Sequence, residues 1–115
     1  MKIVFIAHPI SGDIAGNLNK IVTISREINL STNDIVPFVP YFIDCYALDD
    51  NILCQREKGI MNDKEFFTRK LIDELWLFGN CISKGMWEEI KLAREYSIPI
   101  FPMTAETIQQ FTKEN

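Results

Sequence analysis

The chain has 115 residues, 47% of them hydrophobic and 24% charged, with a formal net charge of −4. That composition is of the ordinary globular kind and argues against disorder, except near Thr112–Asn115. The acidic balance, with no basic run longer than two residues, argues against a broad nucleic-acid surface, because phosphate backbones select stripes of Lys and Arg.

Residues 2–7 form a continuous β-branched and aromatic run, the pattern of a strand buried on both faces. His8-Pro9-Ile10-Ser11-Gly12-Asp13 breaks it. Apolar residues Leu18, Ile21, Val22 and Ile28 then recur at helical spacing over about 15–28. Ile35–Val39 predicts a second strand, pushed toward an edge position by Pro37 and Pro40. Residues 41–51 read as loop, and about 52–72 as helix with a break at Gly59 or Asn62-Asp63. Glu74–Phe78 predicts a third strand. Ser83 is placed as the N-cap of a helix running to about Tyr96. Ile98–Phe101 predicts a fourth strand, and about 105–111 a last helix. The apolar start is too short to predict a signal peptide, and no apolar run approaches the roughly 20 residues of a membrane span.

Strand and helix alternate throughout. The pattern predicts one α/β domain over residues 1–115: a small doubly wound, Rossmann-like or flavodoxin-like parallel sheet of about four strands with helices on both faces. Ligands of such sheets bind outside the carboxyl ends of the strands, where the strand order reverses. The loops after the first and third strands are therefore the candidate site.

The helix after Ser83 has two distinct faces. At 100° per residue Met86, Ile90, Ala93 and Ser97 share one, and Glu88, Lys91 and Glu95 lie opposite. Glu88 is then a solvent-facing acid, whereas Glu89 turns toward the sheet. A carboxylate there either favours the helix dipole, pairs with a cation, or faces a ligand. Ser83 and Gly85 offer a hydroxyl and uncovered amides at a positive helix end, which suits either plain capping or a phosphate. His8, the only histidine, stands at a strand end. It is either a hydrogen-bonded structural residue or a site residue. Tyr41, Tyr46, Asp49 and Asp50 either cover a base or are solvated loop residues. The three cysteines, Cys45, Cys54 and Cys81, form no C-x-x-C. Their odd count fits buried thiols, no metal site and a reducing cytoplasm.

Three segments in order, Phe5–Gly12, Asp73–Gly79 and Ser83–Glu89, together with Ile98-Pro99-Ile100, resemble the nucleoside 2-deoxyribosyltransferase-like family. The similarity is greatest to a short branch of phage and bacterial genomes and covers roughly residues 2–101. It implies cleavage of N-glycosidic bonds, or deoxyribosyl transfer, on 2′-deoxynucleosides or their 5′-monophosphates, with no cofactor. It places the family's nucleophilic Glu on Glu89, and an Asp assisting proton transfer on Asp73. Ser83, where nucleoside-specific members have Asp, implies a 5′-phosphorylated ligand, with Ser11 and Gly12 in the same phosphate pocket. Trp87 replaces a family glycine. Its indole either fills ligand space or stacks on a base. The partner implied is a small-molecule nucleotide or nucleoside, not a nucleic-acid polymer or a membrane. A homo-oligomer, dimer or higher, is expected from the family and from helix faces rich in Phe66, Phe67, Leu71 and Trp87. A non-catalytic module that sequesters a nucleotide on the same fold is the alternative.

Overall fold

The computed structural model describes residues 1–114. The uninterrupted apolar run at the start forms β1 (Lys2–Ala7), whose Val4, Phe5, Ile6 and Ala7 are wholly buried. Asp13 caps the next helix by accepting from the Gly16 amide at 3.1 Å. A Cβ at Gly16 would lie 2.1 Å from Asp13 Oδ2, so a larger residue there would push the capping carboxylate aside. The helix α1 runs Ile14–Ser31, three residues beyond the expected end. Its last turn is held by Ser31 Oγ and Thr32 Oγ1, which donate to the Glu27 and Ile28 carbonyls.

The remaining elements are β2 (Ile35–Phe38), α2 (Phe42–Ala47), α3 (Leu53–Thr68), β3 (Glu74–Leu77), α4 (Lys84–Glu95), β4 (Ile100–Pro102) and α5 (Ala105–Glu114). Two expectations need correcting. The segment expected as loop holds α2, and α3 has no break at Gly59 or Asn62-Asp63. A lone helical Gly costs only about 1 kcal/mol, and here a Cβ would touch Leu48 Cδ1 at 3.6 Å, so α2 and α3 lie close across it. The fourth strand also begins at Ile100, after Pro99, rather than at Ile98.

The four strands are all parallel, in the order β2-β1-β3-β4, with helices around the sheet. This is the small doubly wound α/β fold that the alternation predicted. Pro37 lies on edge strand β2 opposite Val4, where its missing N–H costs least. Phe5, Ala7, Leu75 and Leu77 pack with Phe67, Met86, Ile90 and Ala93 of α3 and α4 in the main core. Val4 and Ile6 face the other way, against Ile24 and Ile28 of α1.

This packing revises the surface expected to drive an oligomer. Phe67 is core, Phe66 is half-buried and 5.1 Å from the Phe38 ring, and Trp87 packs on the main core. Of the four residues named, Leu71 alone is exposed. No helix among the described residues is long and apolar enough to cross a membrane.

The strand order reverses between β1 and β3. The loops that leave those two strands are locked together there. Gly79 has φ +95°, and a Cβ on it would lie 2.5 Å from Pro9 Cδ. Only glycine permits both the backbone conformation and the contact.

Candidate functional site

A cleft of about 610 Å³ opens at this reversal, outside the carboxyl ends of the strands. That volume suits a nucleotide-sized ligand. The lower end is formed by His8, Ile10 and Ser11 after β1 and by Tyr41 before α2. One wall is α3, through Leu53, Arg56, Glu57, Ile60 and Asp63. These recur at intervals of three and four residues, the spacing of one helix face. The opposite wall is α4, through Gly85, Glu88, Glu89 and Leu92. Gly85, Glu89 and Leu92 again share a face.

Glu89 therefore faces the cleft, one of the readings left open for an acid on the sheet side of the wheel. Its carboxyl makes no hydrogen bond among the described residues. Desolvation, and then the negative charge of Asp63, hold its pKa well above the usual carboxylate value. Asp63 mirrors it from α3. Its Oδ1 is buried with no hydrogen-bond partner among the described residues. Desolvation, with Asp44 second, raises it from an ordinary 3.8 to about 7. The Asp63 charge acts on Glu89, so Asp63 gives up its proton before Glu89 does. Desolvated carboxyls with shifted pKa in a cleft make it a candidate functional site.

The flanking groups stay neutral. Tyr41 is buried and donates its hydroxyl to the Ile6 carbonyl at 2.5 Å; desolvation and the Glu89 and Asp63 charges push its pKa up. Burial and the acids around it raise the Cys45 thiol to about 11, so it stays protonated and unreactive. Burial lowers the pKa of His8, whose Nδ1 lies 2.7 Å from the Pro9 carbonyl, so its ring is uncharged near neutral pH.

At the other end of the cleft Ser83 caps α4. Its Oγ accepts from the Met86 amide at 3.2 Å, which leaves the hydroxyl hydrogen available to a ligand. The amides of Lys84 and Gly85 are first-turn donors at the positive end of a 12-residue helix. A Cβ at Gly85 would meet only Ser83 Oγ, at 4.0 Å, so internal packing does not require glycine. Gly85→Ala is expected to raise the urea midpoint, through about 0.5 kcal/mol of helix propensity. The same change is expected to weaken binding of a 5′-phosphorylated ligand about tenfold by titration calorimetry.

The sequence-predicted residues thus divide. His8, Ser11, Ser83, Gly85 and Glu89 come together in the cleft. Gly12 adjoins Ser11 with φ +92° but does not line the cleft, and Trp87 turns from it into the core. Asp50 and Tyr41 line the cleft, whereas Asp49 accepts from the Asn51 amide in the turn before α3. Glu88 is exposed, as expected, but at the cleft rim.

Asp73 requires the largest correction. It precedes β3, and its Oδ2 accepts from the Ile3 amide at 2.8 Å while its own amide donates to the Ile3 carbonyl. That is the amino end of the sheet. The four residues of β3, at about 3.3 Å each, separate it from the cleft by about 13 Å. Asp73 ties β3 to β1 and lies away from the cleft. Asp73→Ala is expected to cost about 1 kcal/mol in urea unfolding and to leave ligand chemistry unchanged.

Among the described residues no group of three or more His, Cys, Asp and Glu side chains is arranged to hold a metal ion. The model of a domain of unknown function, DUF7768, matches residues 2–103. The chain belongs to the DUF7768 family. All of α3 and α4, and hence both cleft acids, lie inside the DUF7768 match. No curated protein and no solved structure matches the chain.

Proposed function

We propose that this cleft binds a 2′-deoxynucleoside 5′-monophosphate and breaks its N-glycosidic bond, with Glu89 as the nucleophile. The observation that carries the reading is the pair of desolvated carboxyl groups, Glu89 and Asp63, facing each other across a nucleotide-sized cleft. Two carboxyls that cannot both ionise hold one proton; it rests on Glu89, which the Asp63 charge raises, and passes to Asp63 as the substrate binds, so that Glu89 becomes the carboxylate and Asp63 the acid.

The helix supplies the order. A phosphate held at Ser83, Lys84 and Gly85 takes the Ser83 hydroxyl hydrogen, the two first-turn amides and the Lys84 charge. Glu89 follows Gly85 by one turn on the same face, so the sugar extends from that phosphate toward it. The Glu89 carboxylate bonds to the anomeric carbon as the bond to the base breaks. The bonding pair leaves with the base nitrogen, and protonated Asp63 gives that nitrogen its proton. Water then attacks the anomeric carbon, Asp63 takes the water proton, and the ester bond to Glu89 breaks. The products are free base and deoxyribose 5-phosphate, with Glu89 ionised and Asp63 protonated again. A second base in place of water gives deoxyribosyl transfer. Both routes follow the logic of retaining glycosidases.

Trp87 does not oppose this chemistry, because its indole packs on the main core and lies outside the cleft lining. The test is incubation with each deoxynucleoside monophosphate, followed by chromatography for free base. Release of base supports the reading. Tight binding with the nucleotide recovered intact would replace it with a sequestering module.

A further inference from the structure

One polar group at the floor of the cleft is fixed in a single state and left without a partner. His8 is only 6% exposed, yet it lines the cleft beside Ile10 and Ser11. Its Nδ1 lies 2.7 Å from the Pro9 carbonyl oxygen, which can only accept, so Nδ1 carries the ring hydrogen and donates it. Burial lowers the pKa and keeps the ring neutral. The second nitrogen of a neutral imidazole is then an acceptor. That nitrogen, Nε2, makes no hydrogen bond among the described residues, although it is not sealed from solvent. Gly79 leaves it uncovered, since a Cβ there would lie 3.5 Å from Nε2. Tyr41, the other buried polar residue of the floor, spends its hydroxyl hydrogen on the Ile6 carbonyl. The floor therefore presents an oriented, largely desolvated acceptor that a donor on the ligand would complete.

We infer that His8 is a specificity-determining residue whose Nε2 accepts a hydrogen bond from the 3′-hydroxyl of the bound nucleotide. The inference rests on the proposed nucleotide reading and assigns the floor of that site. In a 2′-deoxynucleoside 5′-monophosphate the 3′-hydroxyl is the one donor on the sugar, because C2′ carries no hydroxyl and O5′ is esterified. The sugar spans from the phosphate at Ser83–Gly85 to Glu89, both on α4, and the base departs toward Asp63 on α3. His8 follows β1 directly and lies beneath both walls, so it meets the sugar rather than the base. A site built around a hydroxyl rejects the analogue that lacks it, because its buried acceptor is then left unpaired.

The decisive comparison is dAMP against 2′,3′-dideoxyadenosine 5′-monophosphate, which differ by that hydroxyl alone. Both are titrated calorimetrically into the Glu89→Gln protein, so that the ligand is not consumed. The dAMP is expected to bind at least about tenfold more tightly. Adding His8→Phe, which keeps a ring of similar size without an acceptor, is expected to bring the ratio to about threefold or less. Adding His8→Gln instead, whose amide oxygen accepts in place of Nε2, is expected to keep most of the preference. Equal affinities with His8 present, a ratio that His8→Phe leaves unmoved, or a ratio lost equally in both variants would overturn the role of His8 and leave the nucleotide reading standing. Binding of neither nucleotide would overturn both.

Discussion

Replacing Glu89 by Gln is expected to lower base release by at least about 10³-fold, the scale on which loss of an essential reacting group is felt. Glu88→Gln is expected to leave it nearly unchanged. The two acids are adjacent in sequence and differ in surroundings. Glu88 is exposed at the rim, whereas the Glu89 carboxyl is desolvated and faces Asp63. The amide introduced by Glu89→Gln matches the acid in shape but cannot bond to the anomeric carbon and depart again. Chromatographic assay of both variants checks this, and equal losses would remove the nucleophile assignment. Folding is not at risk, since the neutral amide relieves the repulsion with Asp63. The E89Q protein is therefore expected to unfold at a temperature equal to or above that of the unaltered protein at pH 8.

Asp63→Asn is expected to stabilise the protein while lowering base release by about 10²–10⁴-fold, the usual contribution of a positioned general acid. The stability effect depends on pH, and its sign follows from the raised pKa. Folding lifts Asp63 from about 3.8 to about 7, so the folded state holds a proton that the unfolded chain releases. Its contribution is fully present below pH 4 and is lost as pH climbs toward and through 7. About three pH units at 1.36 kcal/mol each set a ceiling near 4 kcal/mol, and partial solvent access lowers the expected gain to about 2 kcal/mol. The D63N protein should therefore exceed the unaltered protein by about 2 kcal/mol in urea unfolding at pH 8. At pH 4 the two should coincide. A gain of the same size at both pH values would show that the Asp63 charge is not what the fold opposes. Glu89 moves in the same direction, so the unaltered protein is expected to be more stable near pH 5 than at pH 8.

Both results express one trade. An unpartnered buried carboxyl oxygen and a raised pair of acids cost stability that an apolar or amide side chain would return. A fold keeps such a pair where chemistry requires it.

Much of this is visible in the sequence. The run Lys2–Ala7 and the strand-helix alternation are enough for the parallel sheet, because a strand buried on both faces needs helices on both. The wheel after Ser83 separates Glu89 from Glu88, since α4 is regular and its apolar stripe is unbroken. Asp63 is hidden for a physical reason. Read beside Asn62, it resembles a turn. Its informative neighbour is Phe67, four residues on and wholly buried, which places an acid on the inward stripe of α3. Gly59 suggests a break and so masks the continuity of that stripe. Asp73 is misplaced because a resemblance fixes a position along the chain and not an end of a strand. In a parallel sheet the residue before a strand lies at the far side from the ligand. Trp87 is ambiguous because one turn of helix holds both ligand-facing and core-facing positions, and only the packing of α4 on the sheet decides between them.

The most direct measurement is a crystal structure of the Asp63→Asn variant, which retains its substrate, with a bound deoxynucleoside 5′-monophosphate. The account predicts the phosphate at Ser83–Gly85 and a Glu89 carboxylate oxygen about 3–3.5 Å from the anomeric carbon, the range from which bond formation proceeds. A nucleotide seated with its sugar turned away from Glu89, or bound outside the cleft, would contradict it.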